Sequence, residues 1–538
     1  MHLVRTVLAA VLCSLGAAAC AASPPRPSAP LVAPAVQEPA PVSLREQAFG
    51  AENQGRFSEA AEAFLKLVKQ EPGRAEWVVA AGRCLGRSGR FRDAIDLLDQ
   101  ARETFPGVIE VPAMLARTYL LKSEMDRGAL DPRQLRLDAA ALAEGVLAID
   151  PNHEDSRLVL AQARYMLGEW EEAVRQAEEA AKRAPDRAGA HVLLGRIALD
   201  RYRDLLATHA AGNLTPQAEA DLVAAIDTQR KLAKASFARA AKLDPSRAHP
   251  HVMLAQIDLL EHHDDEARAH LQDALATDPD AAIDHSLFDR TLAWQDRAKA
   301  YAEVLARYRA TPGAKPAKGA TLRWYEGRAL YAGEQWALAR TAFEEALQQN
   351  AEATNSHYYA AMCAFQLGLH DDAENHAAAY AATGANAFAE VVRNLPGDTR
   401  GQVGSILKFL ADRAFQKGRI DHSRDLNHVL AYLLDSADAW NNRALLCRDT
   451  GKFPEALDAY ERALKKEPDS PQLLNDCAVI LHYHLKSAEN LAKARTMYER
   501  AIQLAEKQLA NTTIPAELRE RTQQALTDAR ANLAELSK

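Results

Sequence analysis

Alanines recur along this chain at a fixed interval. Ala60, Ala94, Ala139, Ala173, Ala233 and Ala267 follow one another at steps of 34, 45, 34, 60 and 34 residues. A second residue type keeps the same spacing. Pro72, Pro106, Pro151, Pro185, Pro245 and Pro279 are separated by 34, 45, 34, 60 and 34. Two independent markers that share both the regular and the irregular steps argue against accidental periodicity. A period of this length means a stack of small supersecondary units. One unit cannot bury its apolar face alone, so neighbours must stack.

The clearest unit runs from Ala439 to Pro471, AWNNRALLCRDTGKFPEALDAYERALKKEPDSP. Trp440, Ala444 and Cys447 fall on one face of a first helix, which Gly451 breaks. Phe453 opens a second helix with Pro454 in its first turn, where a missing N–H costs little. Ala456, Tyr460 and Ala463 lie along its buried face, and Pro468 closes the unit. Further units centre on Ala339, Ala373, Ala456 and Ala494, and a degenerate one has Ser423 in place of the alanine. The 72-residue step from Ala267 to Ala339 leaves room for one poorly matching helix pair near 283–311.

These features resemble the tetratricopeptide repeat, in which a large residue, a small residue, a mid-loop glycine, an aromatic, a second small residue and a closing proline recur. The resemblance covers about eleven units between Leu44 and Leu509. It implies an all-α fold, a right-handed superhelical solenoid of antiparallel helix pairs. Alanine, leucine, glutamate and arginine dominate the composition, in keeping with helix. The 60-residue step is expected to lengthen both helices of its pair, with a turn at Gly212–Pro216. The segment Ala310–Ala320, ATPGAKPAKGA, interrupts the apolar period with proline and glycine, and a milder break lies at Arg393–Gln402. A polar capping helix is expected over Ala516–Leu536.

The N-terminus reads as an export signal. Arg5 precedes a short apolar run, Val7–Leu15, and then Ala17, Ala18, Ala19 and Cys20. The placement of Cys20 resembles bacterial lipoprotein signals and implies acylation there. Simple cleavage after the alanines, leaving a free periplasmic protein, is the other reading. The following stretch is rich in proline and alanine and suits an extended spacer. The expected organisation is a signal over 1–19, a linker over 20–42, one repeat array over 43–311, a joint over 312–320 and a second array over 321–538. The localisation that follows is the periplasmic face of the envelope, at the outer membrane.

Chemistry is sparse. Phosphate-binding, nucleophile-elbow and zincin motifs are missing from the sequence. A formal charge of −8 offers no basic face for nucleic acid. Cys84, Cys363, Cys447 and Cys477 lack metal-finger spacing and read as small buried residues; Cys447 and Cys477, on neighbouring repeats, are also placed to pair. His262, His263, Asp264, Asp265 and His270 are the densest candidate metal cluster, but most fall in a turn between paired helices, where polar residues belong. The expectation is therefore no enzyme, no metal and no cofactor.

The resemblance implies a groove lined by the first helix of each pair. Carried over position by position, it selects Trp324, Arg328 and Tyr331, then Tyr358, Met362 and Phe365, with Asn441, Arg448 and Asn475 extending the row. Lys408, Asp412, Phe415 and His482 follow with weaker register. The implied function is a scaffold of the bacterial envelope that holds proteins or peptides. The alternative is an accessory subunit that presents an envelope enzyme or export complex to its substrate.

Overall fold

A computed structural model describes residues 43–126, 131–212 and 214–538. The expected signal over 1–19, the linker over 20–42 and Cys20 lie outside the described residues. The described residues form 26 α-helices and one π-helical turn, without a strand among them. Packing divides the chain into two compact units, with the division between Thr118 and Tyr119.

The first unit holds α1 (Leu44–Asn53), α2 (Phe57–Gln70), α3 (Ala75–Arg87) and α4 (Phe91–Thr104); the division falls within α5 (Glu110–Met125). The second unit begins with α6 (Pro132–Ile149), α7 (Glu154–Met166), α8 (Trp170–Arg183), α9 (Ala188–Ala211) and α10 (Pro216–Leu243). It continues through α11 (His249–Leu260), α12 (Asp264–Thr277), α13 (Ser286–Thr291), α14 (Trp294–Arg309), α15 (Pro316–Ala332) and α16 (Trp336–Gln349). Then come α17 (Asn355–Gln366), α18 (His370–Thr383), α19 (Ala385–Arg393), α20 (Gly397–Gln416) and α21 (Ile420–Leu434). The last are α22 (Ala437–Asp449), α23 (Phe453–Lys466), α24 (Pro471–Val479), α25 (Ala488–Ala510) and α26 (Ala516–Leu536). The π-turn Ile480–His484 extends α24.

The marker alanines do what their spacing demands. Ala60, Ala94, Ala139, Ala173, Ala233, Ala267, Ala339, Ala373, Ala456 and Ala494 are all fully buried, and Ser423 nearly so. Each sits on the second helix of a pair. Opposite it, on the first helix, stands another small residue. A Cβ added to Gly82 would come 2.8 Å from Leu98, one on Gly195 2.8 Å from Phe237, and one on Gly327 2.9 Å from Phe343. The large side chain of the second helix therefore lies directly on the first helix's backbone, which sets how closely the pair crosses.

The turn between paired helices has its own rule. Gly55, Gly89, Gly168, Gly368, Gly418 and Gly451 each stand five residues before a marker and adopt positive φ. His262 (φ 59°) and Glu334 (φ 58°) occupy the same turn position without being glycine. A left-handed L-residue costs roughly 1–2 kcal/mol. Glu334→Gly is therefore expected to stabilise the chain by about 1 kcal/mol, and Gly451→Ala to destabilise it by a similar amount. Urea unfolding midpoints check both; equal midpoints for Glu334→Gly and the parent would refute the strain.

The long step appears as the lengthened α9 and α10, the weak pair as α13 and α14, and the polar cap as α26. The segment 312–320, expected as a joint, lies inside the second unit. Pro316 starts α15, and Tyr308 binds the preceding loop, donating to Lys315 O (3.1 Å) and accepting from Lys315 N–H (2.8 Å). The division by packing falls between Thr118 and Tyr119. No helix among the described residues is long and apolar enough to cross a membrane.

Candidate groove and its aromatic row

The expected groove row meets two different fates. Trp324, Arg328 and Tyr331 project from α15 and gather around Tyr359 of α17. Trp324 and Tyr359 meet edge to face at 5.9 Å, and Tyr331 and Tyr359 at 5.3 Å. The Arg328 guanidinium lies 5.2 Å from the Trp324 ring centroid and 6.0 Å from that of Tyr359, both within cation–π range. Arg328 is exposed and makes no ion pair among the described residues. Trp324 is half-buried, and its indole N–H is buried without an acceptor. Beside it, Ala320, Thr321, Trp324, Tyr325, Asn350 and Thr354 wall a cleft of about 240 Å³.

Tyr358, Met362 and Asn475 correct the expectation, because all three are buried. The inserted helix α19 accounts for Tyr358: Phe388 of α19 packs against its ring at 5.9 Å. Met362 belongs to the same apolar cluster, with Phe388, Val392 and Leu407. Asn475 is closed off by the capping helix, where Asn532 Nδ2 of α26 donates to its Oδ1 (3.1 Å). Phe365 is half-buried and packs on Phe409 (5.8 Å) and His370 (5.2 Å). Phe409 and Phe415 are themselves exposed, at 44% and 55%. Asn441 is half-buried and borders a separate cleft with Asp438, Glu467 and Arg521. Arg448 is half-buried and pairs with Asp449 at 3.1 Å. Lys408 and Asp412 are exposed, whereas His482 is buried.

Tyr359 is the site residue that sequence reasoning missed. It lies one position past Tyr358 and is half-buried, with Trp324, Tyr331 and Phe343 around its ring. Its inner side stacks on Phe343 at 5.0 Å. The row is thus anchored to the core through the ring that also covers Gly327.

The four described cysteines are buried and unpaired. Burial pushes the thiols of Cys84, Cys363 and Cys477 up to about 12, so they are poor nucleophiles.

Two histidines couple the fold to acidity. Burial lowers His285 from its ordinary 6.5 to about 4, against the opposing pull of Asp289 and Asp284. Its ring stacks on Tyr325 at 3.6 Å. Burial, reinforced by Arg443, lowers His428 to about 4 as well. The unfolded chain binds these protons near 6.5 and the folded chain only near 4, so the unfolded state gains protons in between. The stability these histidines confer is complete above pH 6.5 and is lost as pH falls towards 4. Melting temperatures should fall over that window, and His428→Asn should lessen the fall. An unchanged profile in the variant would refute the coupling.

Comparison with known families decides what the units are. Residues 47–109 and 326–390 match one tetratricopeptide repeat family, 137–199 a second, and 437–470 a third. Over these four stretches the chain carries tetratricopeptide repeats. Arg328, Tyr331 and Tyr359 fall within the 326–390 match, and Trp324 lies just before it. No curated protein matches the chain in sequence. Solved structures of similar fold include a tetratricopeptide repeat protein from Parabacteroides merdae, 11% identical at a TM-score of 0.29, over 60% of this chain and 97% of that one. YrrB, described as a TPR protein with an unusual peptide-binding site, is 16% identical at 0.26, over 43% and 100%. The Cut9–Hcn1 hetero-tetramer of APC/C is 13% identical at 0.27, over 90% and 96%.

Proposed function

We propose that this repeat protein is a non-enzymatic scaffold of the bacterial envelope, carried there by its N-terminal signal and anchored through Cys20. It holds an extended segment of a partner protein against the row Trp324–Arg328–Tyr359. The carrying observation is Arg328, an exposed guanidinium within cation–π range of two aromatic rings and without an ion pair among the described residues. Aromatic and arginine side chains together are the usual anchors of an interface. A segment that lays an apolar side chain over Trp324 and sets a carboxylate against Arg328 satisfies both.

A photo-crosslinking amino acid placed at Thr321, on the wall of the cleft beside Trp324, is expected to trap a discrete partner in the native host. The same probe at Asp412 is expected to trap none. Arg328→Glu should lower capture by the probe at Thr321 at least about tenfold, the scale of one lost charged contact. Unchanged capture in that variant, with helicity intact, would sink the proposal.

A further inference from the structure

We propose a divalent-cation site, with zinc as the preferred ion, formed by His251 of α11 with His270 and Asp273 of α12. The ligand atoms of these three side chains lie within 4.8 Å of one another. Tetrahedral zinc with bonds of about 2.0–2.1 Å needs ligand atoms about 3.4 Å apart. The site therefore closes with shifts of about 1.4 Å or less, the difference between those two spacings, which side-chain torsions supply. One edge is nearly closed already: His251 Nδ1 stands 3.8 Å from Asp273 Oδ2.

A second observation comes from unmet hydrogen bonds. The Nδ1 atoms of both His251 and His270 are buried and have no hydrogen-bond partner among the described residues. Buried polar atoms are nearly always satisfied, so two orphan imidazole nitrogens in one cluster ask for a shared partner. A cation meets both lone pairs at once.

The surroundings fit the role of outer partners. Asp258, itself buried, has its Oδ2 3.6 Å from His270 Nε2. Arg307 of α14 donates to Asp273 Oδ1 at 2.6 Å, which leaves Oδ2 towards His251. The adjacent trio Asp258, Glu261 and His263 does not compete, because Lys234 already bridges Asp258 (2.7 Å) and Glu261. Three protein ligands leave a fourth position open to water or to a group from a partner.

Equilibrium dialysis of the full chain, free of any affinity tag, against zinc chloride tests the site. The expected result is about one equivalent bound per chain. His251→Ala and His270→Ala should each abolish it. Asp273→Asn, which keeps the side-chain shape, should weaken it strongly, and Asp258→Asn should weaken it about 10–100-fold. The His262→Ala, His263→Ala double variant should bind as the parent does. Failure of the parent to bind zinc, or binding retained when both His251 and His270 are replaced in a chain of unchanged helicity, would overturn the site.

Discussion

Replacing Gly195 by valine is expected to lower stability by about 3 kcal/mol, the upper range for overpacking a well-filled core. The reason is the absence of space. A Cβ at Gly195 would come within 2.9 Å of three atoms of the Phe237 ring. Phe237 is fully buried and cannot swing aside. Valine adds two more methyl groups against the same ring. Relief of glycine's helix penalty returns only about 1 kcal/mol. The pair α9–α10 must therefore separate or lose its crossing. In a repeat stack each pair leans mainly on its neighbours, so the damage should be local. Hydrogen exchange should rise first in α9 and α10 and remain near parental values in α22 and α23. An undiminished unfolding midpoint, or exchange that rises uniformly, would contradict this account.

Arg419→Ala is expected to cost about 3 kcal/mol for a different reason. Glu374 of α18 is fully buried. Its carboxylate is held by Arg419 at 2.8 Å and by His422 Nδ1 at 3.0 Å. Removing one partner of a buried ion pair strands a charge in a poor solvent, which costs about 3–5 kcal/mol. His422 remains and moderates the loss, which places the expectation at the lower end. Glu374→Gln should be milder, because Arg419 keeps Asp371 as an ion-pair partner. Denaturant unfolding of both variants reads the asymmetry. A loss for Arg419→Ala no larger than that for Glu374→Gln would show that the pair contributes little.

Much of the architecture is legible from spacing because one physical requirement repeats. Wherever two helices cross closely, large side chains are excluded, so a small residue recurs with the pair. Ala60 to Ala494 record those crossings one by one, and even Ser423 keeps the place. The weak pair α13–α14 and the cap α26 follow from the same bookkeeping of helix lengths. The groove is less legible. Trp324, Arg328 and Tyr331 fall together as repeat position implies, but Tyr358 and Met362 do not reach the surface. Position within a repeat fixes the direction in which a side chain leaves its helix. It does not say what later segment will cover that direction.

The metal-ligand candidates make the same point from the other side. In the sequence, His262 and His263 stand next to acidic residues and draw attention. In the structure, His262 fills the left-handed turn position that glycine takes in six other repeats. His270 turns instead towards His251, nineteen residues earlier, because α11 and α12 fold back on each other.

The sequence by itself therefore determined the periodic part of this protein: helix pairs, their turns, their crossings and their lengthened members. Those depend on contacts within one pair, where chain separation is short and steric exclusion acts residue by residue. Only the tertiary structure decided which faces stay open. The insertion of α19 over Tyr358 and the closure of Asn475 by α26 both come from contacts with segments outside the repeat period. Burial at such places depends on which surface is left to cover once the pairs have stacked, and that surface exists only in the folded chain.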